Sequence, residues 1–97
     1  MASAATDIQP SRKRVLVRGT LFTANGAADV WIRDISATGA RVTSKDRIPA
    51  RGDVVLKRGP VFVAANIASS NEDGAELGFY RALSEDDIYA AAVADRG

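Results

Sequence analysis

Four cations stand within seven positions at the entrance to an apolar run. They are Arg12, Lys13, Arg14 and Arg18, in the stretch Ser11-Arg12-Lys13-Arg14-Val15-Leu16-Val17-Arg18. The planar fork of arginine suits bidentate contact with phosphate, the O6/N7 edge of guanine, and stacking on a base. A solvated basic tail is the plainer reading of the same residues. The second stretch with chemical content is Asp34-Ile35-Ser36-Ala37-Thr38-Gly39. A carboxylate such as Asp34 accepts two hydrogen bonds from the N1–H and N2–H₂ edge of guanine, and the Ser36 hydroxyl adds an adaptable donor or acceptor. Gly39 lets backbone approach a ligand without a Cβ in the way. The plainer reading here is a turn, with Asp and Ser bonded locally and Gly at positive φ.

Short strands must position these groups. Residues 1–11 are small, polar and aperiodic, which predicts a disordered arm, followed by a single domain over 12–94. Residues 15–22 read as a strand, and Asn25-Gly26 as a tight turn. The run Asp29-Val30-Trp31-Ile32-Arg33-Asp34-Ile35 sets Val30 and Ile32 on one face and Trp31 on the other. Further strands are predicted over 40–43, 54–57, 61–68 and 75–80, separated by turn signals at 49–53, 59–60 and 71–74. Ser84 is an N-cap, the acids Glu85, Asp86 and Asp87 suit a first helical turn, and Ile88, Ala91 and Ala92 follow at helical spacing. Six short strands in so small a chain predict an antiparallel β-barrel, closed or nearly so, with a C-terminal α-helix. Most of the six aromatic residues are assigned to the core, with Trp31 on the outside.

Composition removes several classes of function. The 97 residues contain no cysteine and no histidine. Disulfides, thiolate chemistry and a Ser-His-Asp nucleophile are therefore excluded, and a zinc site is not expected. No phosphate-cradling glycine loop of the P-loop or dinucleotide-binding kind occurs. No apolar run approaches the roughly 18 residues of a membrane span, and the first residues lack the pattern of a signal peptide. A cytoplasmic protein is expected. The formal charge of +1 conceals an asymmetry: residues 1–18 carry net +3, residues 19–70 net +3, and residues 71–97 net −5. One end attracts anions and the other repels them. Asp86 and Asp87 read as capping charge and not as a catalytic carboxylate pair.

The segment Arg33-Asp34-Ile35-Ser36-Ala37-Thr38-Gly39-Ala40-Arg41-Val42 resembles, over its whole length, the second motif of the PilZ domain, a bacterial receptor module for cyclic di-GMP. Ile35 and Val42 take core positions in that comparison. The resemblance extends over about residues 10–88. It includes Pro49-Ala50-Arg51-Gly52-Asp53-Val54-Val55-Leu56, Glu76-Leu77-Gly78-Phe79 and the acidic helix start at Ser84. It implies a six-stranded barrel with a C-terminal helix. It also implies an arginine pair, separated by three residues, that wraps the ligand at the first strand. Two alignments are open. Literal spacing selects Arg14 and Arg18. The hydrophobic pattern instead puts Arg12 at the second arginine and Ile8 at the first, with Val15 entering the core.

The expectation is a non-enzymatic receptor for cyclic di-GMP that relays the signal to a protein partner. Its site residues are Arg12, Lys13, Arg14, Arg18, Asp34, Ser36 and Gly39. The alternative is the same fold acting as an interaction protein without the nucleotide. A barrel binding RNA or single-stranded DNA is disfavoured by the acidic C-terminal end and by the absence of a basic-aromatic stripe.

Overall fold

The computed structural model describes residues 12–93, so the arm predicted over 1–11 lies outside the described residues. Six antiparallel strands form a closed barrel: β1 (Lys13–Thr23), β2 (Gly26–Ile35), β3 (Gly39–Thr43), β4 (Asp53–Arg58), β5 (Val61–Ser70) and β6 (Gly74–Phe79). The helix α1 (Glu85–Ala92) follows. Around the ring the order is β1-β2-β3-β6-β5-β4. Among the described residues no helix is long and apolar enough to cross a membrane.

Period-two patterning drives the closure. In β5, Val61, Val63, Ala65 and Ile67 point inward, while Phe62, Ala64, Asn66 and Ala68 point out. In β2, Ala28, Val30 and Ile32 point inward, and the next position in phase is Asp34, buried at 7% exposure. The interior is filled by Val, Ile, Leu and Ala from all six strands, joined by Ile48, Leu83 and Ala91. Ile35 and Val42 belong to that core.

The aromatic residues are a correction to the sequence reading. Phe22, Phe62, Tyr80 and Tyr89 lie on the surface with Trp31, and Phe79 is half-buried. Phe22, Trp31 and Phe62 each alternate with inward-pointing residues of their strands, so the pleat sends these rings to the outer face. Phe22 and Phe62 meet edge-to-face with centroids 6.3 Å apart, although β4 lies between their strands. The Arg18 guanidinium lies 5.4 Å from the Trp31 ring centroid.

The helix is fixed at both ends. At its start, the Ser84 hydroxyl accepts from the Asp87 amide at 3.0 Å and the Asp87 carboxylate accepts from the Ser84 amide at 3.4 Å, a reciprocal cap. Its last turn has no basic residue of its own. Arg58, at the end of β4 and 8% exposed, supplies the missing cation. Its guanidinium donates to the carbonyls of Ala91 (3.2 Å) and Val93, and also to the Arg18 carbonyl in β1 (3.0 Å). Hydrogen bonds from a charged group are each worth roughly 1.5–3 kcal/mol. Arg58→Gln should therefore release α1 while the barrel stays folded. Hydrogen exchange is expected to speed up selectively at the amides of residues 89–93, with the amides of β2 and β3 unchanged.

Candidate functional site

Asp34 is placed by two irregularities in the ladder. The β1–β2 register shifts between Arg14 and Val17, and the β2–β3 register shifts between Ile32 and Asp34. Bulges of this kind kink a strand and re-aim its side chains. They leave the Asp34 carboxylate at the rim of the barrel, where it is neutralised from two sides. Its Oδ1 accepts from Arg12 Nη1 at 2.6 Å, and its Oδ2 lies 3.3 Å from Arg41 Nε. Arg12 also reaches Glu76 Oε2 at 3.4 Å. An ionised carboxylate has roughly four lone-pair sites, so the contacts with Arg12 and Arg41 do not saturate Asp34 as an acceptor.

The turn that follows is stitched to itself. The Ser36 amide donates to the Gly39 carbonyl at 2.8 Å. The Ser36 hydroxyl accepts from the amides of Thr38 and Gly39, both at 3.2 Å, and donates back to the Gly39 carbonyl at 3.3 Å. Ser36 is only 2% exposed. Its oxygen is spent on holding the turn. The turn in turn holds its surroundings, since the Phe79 amide donates to Thr38 and the Leu83 amide to Ala37.

Gly39 has a structural requirement that the sequence did not reveal. Its φ is not positive. A Cβ there would sit 2.3 Å from the Leu77 carbonyl oxygen of β6. The absent side chain admits a neighbouring strand.

An open groove of about 690 Å³ lies beside this rim, a size within the range of small-molecule sites. Arg12 and Lys13, Ala37 of the turn, and Glu85, Asp86, Ile88 and Tyr89 of α1 line it. The groove thus carries both basic and acidic groups. Arg14 pairs with Asp34 in the β1–β2 register, yet it lines a neighbouring groove with Tyr89, Ala92 and Val93. Arg18 pairs with Trp31. That is three residues along β2 from Asp34, or roughly 10 Å.

The structure therefore brings Arg12, Lys13, Asp34 and the 36–39 turn together, and it sets Arg18 apart on the outer face. Val15 is half-buried and packs against the core, as the hydrophobic alignment expects. Sequence reasoning did not single out Arg41 or Glu76. The signal for Arg41 was its outward phase two residues after Gly39. Glu76 becomes visible only through β3–β6 pairing. Elsewhere on the surface, the Tyr80 hydroxyl donates to Asp53, and this bond to a carboxylate raises the phenol pKa above its ordinary value. Among the described residues no group of His, Cys, Asp and Glu could hold a metal ion.

No protein-family model, curated protein or solved structure matches this chain.

The role of Gly39 can be measured directly. Gly39→Ala must push β3 away from the Leu77 carbonyl, so it should lower stability by at least about 2 kcal/mol, in the range of overpacking substitutions. Urea unfolding is expected to show a lower midpoint. An unchanged midpoint would mean that the two strands separate without cost.

Proposed function

We propose that this chain is a PilZ-like receptor module that binds cyclic di-GMP at the rim between Arg12, Lys13 and Asp34, and relays its occupancy to a protein partner. The observation that carries this reading is the 2.6 Å contact between Arg12 and Asp34. It joins the two stretches that resemble the family's motifs, although 22 residues separate them. The closed six-stranded ring with a short C-terminal helix is the architecture that the resemblance implies. In this reading Arg12 and Lys13 meet phosphate and guanine edges, and the remaining acceptor capacity of Asp34 meets the guanine donor edge. Ser36 and Gly39 contribute by keeping the rim in shape. The contiguity of the groove with α1 supplies a route from ligand to partner, because Glu85 and Asp86 line the same space as Arg12.

Two observations favour the second reading, an interaction protein that does not bind the nucleotide. Asp34 already has two arginine partners, and the acids of α1 face the groove and repel phosphate.

Calorimetric titration separates the two. The receptor reading expects saturable binding of cyclic di-GMP and weaker or no binding of cyclic di-AMP, GTP and a short oligonucleotide. Arg12→Ala should cost roughly 1.5–3 kcal/mol of binding, or about 10- to 150-fold in Kd. Arg18→Ala should cost less than about twofold, since Arg18 is engaged with Trp31. Absence of saturable heat with cyclic di-GMP would select the interaction protein. A larger loss from Arg18→Ala than from Arg12→Ala would restore the literal spacing of the motif.

A further inference from the structure

Arg41 and Glu76 have no part in the proposed nucleotide contacts, yet they belong to the same charge network. They are direct cross-strand partners, Arg41 on β3 and Glu76 on β6. Directly opposed residues of this kind have Cβ atoms roughly 4.5–5.5 Å apart. Arg41 touches Asp34 through Nε, the nitrogen nearest its backbone, and its side chain is 57% exposed. A guanidinium has five N–H donors, so this contact leaves Arg41 with donor capacity in a side chain that is largely in solvent. Arg12 approaches the same carboxylate through its other oxygen. Two guanidiniums thus meet Asp34, one at each carboxylate oxygen. Glu76 rests against Arg12 and lies across the ladder from Arg41.

The two carboxylates of this network are held differently. Asp34 is largely buried and its bond to Arg12 is short. Glu76 is 46% exposed and its bond to Arg12 is long, at 3.4 Å. Exposed pairs of that kind are weak and easily exchanged. Asp34 is the fixed anion that positions the two arginines. Glu76 is the exchangeable one.

We propose that Arg41 is a second anion-binding arginine of this rim, and that Glu76 occupies the place which a phosphate group of the ligand takes over. Binding exchanges one anion for another: phosphate bridges Arg12 and Arg41, and the Glu76 carboxylate turns out to solvent. The choice of a cyclic dinucleotide as the source of that phosphate rests on the proposed function. The two-arginine anion site does not.

The test is titration of the full chain with cyclic di-GMP and, separately, with pyrophosphate. The variants are Glu76→Gln, Arg41→Gln and Arg41→Lys, with Lys45→Gln as a control for loss of one positive charge beyond the end of β3. Removing the internal competitor in Glu76→Gln should tighten binding about two- to fivefold, the worth of an exposed ion pair. Arg41→Gln should weaken binding at least about tenfold, as loss of a charge-assisted contact does. Arg41→Lys keeps the charge beside Asp34 and should recover part of that loss, while Lys45→Gln should resemble the unaltered chain. Equal affinity of Arg41→Gln and the unaltered chain would overturn the role of Arg41. Unchanged affinity in Glu76→Gln would overturn the exchange. If pyrophosphate binds in an Arg41-dependent way and cyclic di-GMP does not bind, the anion site stands and the nucleotide reading falls. If neither probe binds even to Glu76→Gln, the anion site itself is wrong.

Discussion

The approach of β3 to β6 decides the rest of this molecule. Two glycines permit it, one contributed by each strand. A Cβ on Gly39 would lie 2.3 Å from the Leu77 carbonyl, and one on Gly74 would lie 2.0 Å from the Val42 carbonyl. These are backbone obstacles, which cannot rotate away as a side chain can. With both positions empty the strands pair over five residues, from Gly39 with Gly78 to Thr43 with Gly74. That ladder joins the β1-β2-β3 half of the ring to the β4-β5-β6 half. It also brings Glu76 opposite Arg41 and fastens the 36–39 turn to Phe79. The chemistry of the rim is a by-product of two missing methyl groups.

Much of the architecture was legible in the residues. The alternation in β5 and β2, the Asn25-Gly26 signal and the acid-rich start at Ser84 each report a local preference, and local preferences survive into the fold. Gly26 indeed takes φ of 119° as the chain enters β2. What stayed hidden is non-local. The bulges beside Asp34 depend on which strands pair and in what register, and no window of sequence contains that information. The aromatic residues went astray for a related reason. Their phase was readable, since Phe62 alternates with Val61 and Val63, but which face becomes the interior is settled only when the ring closes. Gly39 illustrates the limit within one motif. Its importance was legible, whereas its cause, a carbonyl of a strand 38 residues later, was not.

Asp34 illustrates how a buried charge is tolerated in so thin a domain. A carboxylate withdrawn from water needs compensation by paired charge and hydrogen bonds. Here the compensation comes from Arg12 and Arg41, both of which keep much of their own side chains in solvent. The arrangement spares the arginines most of the desolvation cost while neutralising the acid. It also means that Arg12 is held in place by two carboxylates, Asp34 and Glu76.

The Phe22–Phe62 contact has a consequence for how the ring comes apart. β1 and β4 share only three register pairs, Thr20 with Lys57, Leu21 with Leu56 and Phe22 with Val55, fewer than any other neighbours around the barrel. This is the seam of the ring. The two phenyl groups reach across the outside of β4 and tie β1 to β5, so the seam carries a second fastening on its exterior. If the seam parted, β1 and β4 would each offer a row of unpaired amides and carbonyls, the kind of edge that recruits strands from other molecules. Rings outside the core thus help to keep those edges paired within the chain.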